Sequence, residues 1–124
     1  MEIDKIIQKT DMKLTTARKE LLRIFLENKK PLSYEDIKDS ITMDKATFYR
    51  NISKFEDKAI IHSFESNDKK RYYEIQSTLH AHFICNNCNS IQCLQEVVKL
   101  EIKNHIVEDI LIKGICKSCQ ESRL

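Results

Sequence analysis

One glycine, Gly114, and one proline, Pro31, are all that the 124 residues contain of the two strongest chain breakers. Their scarcity argues against a loop-rich secreted scaffold stapled by disulfides, and against a low-complexity linker. Long apolar runs are missing too: none approaches the roughly 18–20 residues needed to span a bilayer. Neither sign of charge dominates, since 21 Lys and Arg stand against 19 Asp and Glu for a formal net charge of +2. Composition alone therefore does not point to a nucleic-acid partner. The opening stretch MEIDKIIQKT interleaves charges with Ile and has no small-residue cleavage site, so a leader peptide is not expected and a cytoplasmic location is. The length suits one compact unit or two very small ones and excludes a large multidomain enzyme. What the chain does have is five cysteines, and in a reducing compartment they call for something other than disulfides.

Up to about Ile75 the apolar pattern is mainly helical. Ile3, Ile6 and Ile7 form one stripe, and Leu21, Leu22, Phe25 and Leu26 a second. After the break around Pro31, Ser33 with Asp36 three residues on reads as the N-cap of a short third helix ending near Ser40. Asp44 caps a fourth, whose buried stripe is Phe48, Ile52 and Phe55. Two short helices joined this tightly look like a helix-turn-helix. Ile60–Glu65 and Lys70–Ile75 flank an Asn-Asp turn and read as a hairpin, which makes the arrangement a winged helix. Beyond it His80–Cys85, Ile91–Leu94 and Ile110–Cys116 look like strands, with a helix expected from about Glu96 to His105. The fold class is α+β: a winged-helix domain over residues 1–76, then a small α/β domain over residues 77–124.

Cys85-Asn86-Asn87-Cys88 and Cys116-Lys117-Ser118-Cys119 carry the strongest chemical signal. Each Cys-x-x-Cys pair can clasp one edge of a tetrahedron, so four thiolates would close around one structural Zn²⁺ with no position left for substrate. The alternative is four reduced, buried cysteines at chance spacing. The fifth, Cys93, shares a strand face with Ile91 and is expected to be a small core residue. His80 and His82 are one residue apart on an expected strand, so both point to one face, and Glu74 could add an oxygen donor; this N/N/O set suits Fe²⁺, Mn²⁺ or Zn²⁺. Two surface histidines on an edge strand would look the same. The fourth helix turns Lys45, Thr47, Tyr49, Arg50 and Lys54 away from its apolar stripe, as a recognition helix would. An ordinary solvated helix face is the competing reading.

The order of these features resembles the ferric uptake regulator (Fur) family. Lys13-Leu14-Thr15-x-x-Arg18, then Ala46-Thr47-Phe48-Tyr49-Arg50, Tyr73-Glu74, His80-Ala81-His82-Phe83-Ile84-Cys85-x-x-Cys88 and Cys116-x-x-Cys119 carry the likeness over nearly the whole chain. It implies a homodimeric, metal-responsive transcription factor, a repressor acting on palindromic operator DNA. Tyr49 and Arg50 would lie on the recognition helix, and Lys13 would correspond to a lysine that reaches the minor groove. The four paired Cys would hold structural zinc. Glu74, His80 and His82 match three ligands of the family's sensor site for a second, regulatory divalent metal.

The departures from the family pattern carry information as well. Pro31 stands where the family usually has a sensor histidine, just ahead of Leu32-Ser33-Tyr34-Glu35-Asp36-Ile37. Leu79 and Ala81 replace two ligands of an additional site common in the family, near which Glu101 and Glu108 lie. Glu74 stands where peroxide-sensing members carry Asp, which leans away from peroxide sensing. Two other functions compete with the repressor: a DNA-binding regulator holding only structural zinc, and a zinc-ribbon interaction module. An enzyme is not expected, because no general base or nucleophile accompanies the histidines.

Overall fold

A computed structural model describes residues 5, 7–8, 10–28, 30–75, 81–94 and 102–122. The chain divides into two compact units, Met1–Ser63 with Arg71–Gln76, and Phe64–Lys70 with Ser77–Leu124.

In the first unit, α1 (Thr16–Glu27) begins where the Thr15 hydroxyl accepts the Arg18 N–H, and it buries Leu21, Leu22 and Phe25. Of the stripe expected ahead of it, Ile7 is buried, while Ile3 and Ile6 lie outside the described residues. A two-residue strand, β1 (Leu32–Ser33), leads into α2 (Tyr34–Ile37) and a 3₁₀ turn, Lys38–Ser40. Here Ser33 and Asp36 form a reciprocal capping box: the Asp36 N–H donates to the Ser33 hydroxyl at 3.2 Å and the Ser33 N–H to the Asp36 carboxylate at 2.9 Å. Two orphan donors are thereby satisfied in a helix only four residues long.

The longest helix, α3 (Lys45–Asp57), is capped by Asp44, whose carboxylate accepts the Thr47 N–H at 2.8 Å. A side-chain hydrogen bond from Thr47, together with that backbone bond, holds the Asp44 carboxyl below its ordinary value. Phe48, Ile52 and Phe55 are fully buried among Leu21, Leu22, Phe25, Ile37 and Tyr73. Truncating one of these phenylalanines to Ala would cost about 3–5 kcal/mol. The helix ends in a Schellman turn: Ile60 N–H bonds Phe55 C=O, Ala59 N–H bonds Glu56 C=O, and Ala59 has φ 58°. Alanine occupies a left-handed position where glycine is usual.

β2 (Ile61–Glu65) and β3 (Arg71–Ile75) form the hairpin, and β1 pairs antiparallel with β3, Leu32 opposite Tyr73, giving the order β1-β3-β2. Burial among these elements pushes the Tyr73 phenol up to about 12.

The second unit contains a sheet in the order β5-β4-β6, from β4 (Ala81–Cys85), β5 (Ile91–Cys93) and β6 (Ile110–Gly114). β4 runs antiparallel to β5 and parallel to β6, with Cys85 opposite Gly114. A Cβ added at Gly114 would lie 3.3 Å from two atoms of the Phe83 ring. The chain's one glycine thus stands where an aromatic ring crosses the strand beside a cysteine pair. After β6 comes the short helix α4 (Lys117–Ser122).

Two expectations need correction. The helix anticipated through His105 does not extend over Ile102–His105, which form a turn closed by His105 N–H on Ile102 C=O, with Asn104 at φ 65°. A left-handed residue cannot continue a right-handed helix; residues 95–101 lie outside the described ones. The last strand stops at Gly114 instead of Cys116, because the chain turns there into α4, with the Gln120 N–H donating back to the Cys116 carbonyl.

Candidate metal centre and nucleic-acid interface

Four sulfurs meet in the second unit. Cys85 ends β4, Cys88 lies in the turn before β5, Cys116 precedes α4 and Cys119 sits on it. The turn is shaped by Cys85 N–H on Ser90 C=O, Asn89 N–H on Cys85 C=O and a left-handed Asn89 at φ 62°. The sulfurs of Cys85 and Cys119 lie 3.8 Å apart, as do those of Cys88 and Cys116, and all four are within 4.8 Å of one another. With Zn–S bonds of about 2.3 Å, a tetrahedral thiolate site has S···S edges of about 3.8 Å. The spacing matches a closed four-thiolate Zn²⁺ site, as the sequence predicts.

The surrounding amides prepare one thiolate. N–H groups of Asn87, Cys88 and Cys116 point at the Cys85 sulfur at 3.4, 3.5 and 3.4 Å. With Cys88 contributing most, they hold the Cys85 thiol down at about 6. The Ser90 hydroxyl, 3.1 Å from Cys88 Sγ, lowers that thiol as well. At Cys119 a hydrogen bond from Asn87 pulls down, but sharing with Cys116 and the other thiols, together with burial, carries it up to about 11. The opposite shifts describe one cluster that gives up its first proton easily and its last with difficulty. A dication replaces those protons and removes the conflict.

His82 lies on β4 and is 3% exposed, with the Phe64 ring of the same unit 4.7 Å away. In the β4/β5 register it stands opposite Cys93, and a ligand atom of each lies within 4.8 Å of the other. Cys93, expected to be a core residue on its alternation with Ile91, is half-buried and beside an imidazole. Only the strand pairing reveals this, and no local pattern in the sequence carried it. Glu74 is half-buried on β3 of the first unit. His80, Leu79 and Glu101 lie outside the described residues; Ala81 is buried, Glu108 is exposed ahead of β6, and Pro31 is buried before β1.

On α3 the polar face is presented as expected. Lys45, Tyr49 and Arg50 are exposed and Thr47 half-buried. The Arg50 guanidinium donates to the Thr47 hydroxyl at 3.1 Å, and the Lys45 ammonium sits 5.3 Å from the Tyr34 ring centroid. Tyr49 packs its ring against Tyr34 and Phe48 while remaining 42% exposed. Lys13 is exposed ahead of α1.

Arg18, named from the sequence only as part of the Lys13-Leu14-Thr15-x-x-Arg18 likeness, and Asn51, which sequence reasoning did not single out, connect Lys13 with α3. Arg18 Nε donates to Asn51 Oδ1 at 3.1 Å, and its Nη1 donates to the Lys13 carbonyl at 2.7 Å. Asn51, buried on α3, in turn donates to the Thr47 carbonyl at 3.0 Å. Nearby, Met12, Lys13, Arg18, Lys54, Asp57 and Lys58 line a cavity of about 280 Å³. Its four cationic side chains against one carboxylate concentrate positive charge that the near-neutral chain average conceals.

Comparison with known proteins agrees with this geometry. The sequence profile of the ferric uptake regulator family matches residues 9–119. A ferric uptake regulation protein of Staphylococcus epidermidis is 31% identical over 131 residues, covering 95% of this chain and 94% of that one. Among solved structures, the Helicobacter pylori ferric uptake regulator, described as having three functional metal-binding sites, matches at TM-score 0.74 and 25% identity, covering 99% of this chain and 92% of that one. The iron-containing Francisella tularensis regulator matches at TM-score 0.67 and 29% identity over 88% and 95% of the two chains. Among the described residues no helix is long and apolar enough to cross a membrane.

Proposed function

The chain belongs to the ferric uptake regulator family of metal-responsive transcriptional regulators, not enzymes, and on that premise we propose that it is a repressor that binds palindromic operator DNA as a homodimer. The winged-helix domain, residues 1–76, meets DNA, and the α/β domain, residues 77–124, dimerises and holds metal. The observation that carries the reading is the outer face of α3. Lys45, Tyr49 and Arg50 project from a helix whose opposite face is locked by buried Phe48, Ile52 and Phe55, a rigid platform for side chains that must reach base edges and phosphates together. Arg50 suits guanine, Tyr49 and Thr47 suit phosphate oxygens, and Lys45 and Lys13 add cationic contacts.

Cys85, Cys88, Cys116 and Cys119 hold structural zinc, which supplies a fixed tetrahedral crosslink between the β4 turn and α4. Glu74, His80 and His82 are ligands of the second, regulatory metal. That metal shifts the balance between DNA-competent and incompetent states only by its differential affinity for them. With Pro31 in place of a histidine, that differential is smaller than a fuller ligand set would give.

Operator binding by purified protein, with and without chelator and with Fe²⁺, Mn²⁺ or Zn²⁺ restored, tests the proposal. Metal-dependent binding is the expected result, and His82→Ala should abolish the dependence while keeping one zinc per subunit. Binding that is indifferent to chelator would leave a regulator with structural zinc alone. Failure to bind under every condition would favour a zinc-ribbon interaction module.

A further inference from the structure

We propose that Cys93 is a ligand of the regulatory metal alongside His82, so that the sensor carries one thiolate and selects the borderline-soft ion Zn²⁺ over the hard ion Mn²⁺. The inference rests on the reading of His82 as a sensor ligand and names the chemistry of that same site.

His82 and Cys93 are direct partners across the antiparallel β4/β5 pair. Residues so placed project from the same face of the sheet with Cβ atoms about 4.5–5.5 Å apart. Here a ligand atom of each lies within 4.8 Å of the other. A tetrahedral Zn²⁺ bonded at about 2.0–2.1 Å to nitrogen and about 2.3 Å to sulfur would set the two at about 3.6 Å, which small side-chain rotations on paired strands reach. The strand backbones fix the pair, so little ordering is left for metal binding to impose. His82 is almost wholly removed from solvent, and the Phe64 ring lies against its imidazole, which leaves the pair in surroundings where a dication is held by few, well-chosen donors.

Donor type decides the ion. Thiolate and imidazole favour Zn²⁺, whereas Mn²⁺ prefers carboxylate, carbonyl and water, and the intrinsic affinity order already places Zn²⁺ above Mn²⁺. A thiolate at this position widens that gap. The other four of the five cysteines belong to the tetrahedral cluster, so a thiolate at the second site is that of Cys93.

The test uses the full-length protein with its four-Cys site filled by spectroscopically silent Zn²⁺. Titration with Co²⁺ should add one further equivalent per subunit and a thiolate-to-cobalt charge-transfer band in the near ultraviolet, which in this preparation arises from Cys93. Cys93→Ser should retain the structural zinc and lose the band, and its preference for Zn²⁺ over Mn²⁺ at the second site should drop at least about tenfold, a loss that even outer-shell changes reach. A second Co²⁺ that depends on His82 but shows no thiolate band would overturn the role of Cys93 and leave the sensor reading intact. No second equivalent, or one that His82→Ala leaves unchanged, would overturn the sensor reading and this inference with it.

Discussion

Arg18 offers the sharpest separation between a residue that touches DNA and one that positions others to do so. Its guanidinium bridges the Asn51 amide on α3 and the Lys13 carbonyl ahead of α1, at 3.1 and 2.7 Å. Hydrogen bonds to a charged group are worth about 1.5–3 kcal/mol when shielded, and ordinary ones about 0.5–1.5 kcal/mol. The Asn51 bond is partly buried and the Lys13 bond exposed, so Arg18→Ala should lower the unfolding free energy by about 2 kcal/mol. Arg18→Lys should recover less than half of it, because an ammonium cannot reproduce the two-pronged geometry of the guanidinium. A double-mutant cycle with Asn51→Ala should give a coupling of about 1 kcal/mol, since the two groups share one bond.

The DNA measurement is the informative one. If Arg18 acts by fixing Lys13 and α3, Arg18→Ala weakens operator binding about tenfold while the slope of log affinity against log salt stays near the parent value. Lys13→Ala, by contrast, should reduce that slope by about 1 for each subunit bound, as loss of a phosphate contact does. Fluorescence anisotropy over a salt series, with circular dichroism confirming folding, reads both. A reduced slope in Arg18→Ala would refute the positioning role and make Arg18 itself a DNA contact.

Three further outcomes follow from the same structure. Ala59→Gly, at the left-handed position of the Schellman turn, should stabilise the protein by about 1 kcal/mol, visible as a rise of roughly 4–8 °C in the melting of a unit this size; an unchanged or lower midpoint would show that the backbone there relaxes at no cost. Gly114→Ala should cost about 1 kcal/mol in urea unfolding of the zinc-loaded protein through its 3.3 Å approach to Phe83, and far less in a Phe83→Leu background; equal costs in both would exclude the ring as the cause. Metal-free protein should gain stability from about pH 6 to 9, because the Cys85 thiol sits at about 6 in the fold against an ordinary value of 9.0, and lose it again from 9 towards 11, where Cys119 is held up; the gain between pH 6 and 9 should vanish in Cys85→Ser, and its persistence there would assign it to other groups.

What could be read from the residues was whatever depends on near neighbours in the chain. The Ser33/Asp36 box, the Asp44 cap and the Phe48, Ile52 and Phe55 stripe are patterns of three to seven residues, and each forms as expected. The Cys-x-x-Cys pairs were legible for the same reason, since each clasps its edge of the tetrahedron locally and only the union of the two pairs needs the fold. Strand β1 was not legible: two residues carry no periodicity, and Leu32–Ser33 becomes a strand only because Tyr72 and Tyr73 supply its partners. Arg18 and Asn51 are 33 residues apart, with nothing in either neighbourhood to announce the bond.

Cys93 shows most clearly how register turns ambiguous composition into chemistry. Alternation with Ile91 gives it a face but cannot say what that face meets, and a cysteine beside an isoleucine reads as a small apolar residue. Pairing β5 one residue out of register would place His82 opposite a neighbour of Cys93 and send the imidazole and the thiol to opposite faces of the sheet. The observed register brings a soft donor and a borderline one together across paired strands of a unit that also gathers four thiols at the spacing of a zinc site. Pro31 stands in place of one potential ligand in the first unit, and Cys93, as proposed, would add one of a different kind in the second. The two departures together predict a sensor altered in which ion it prefers, not one that has merely lost affinity for every ion.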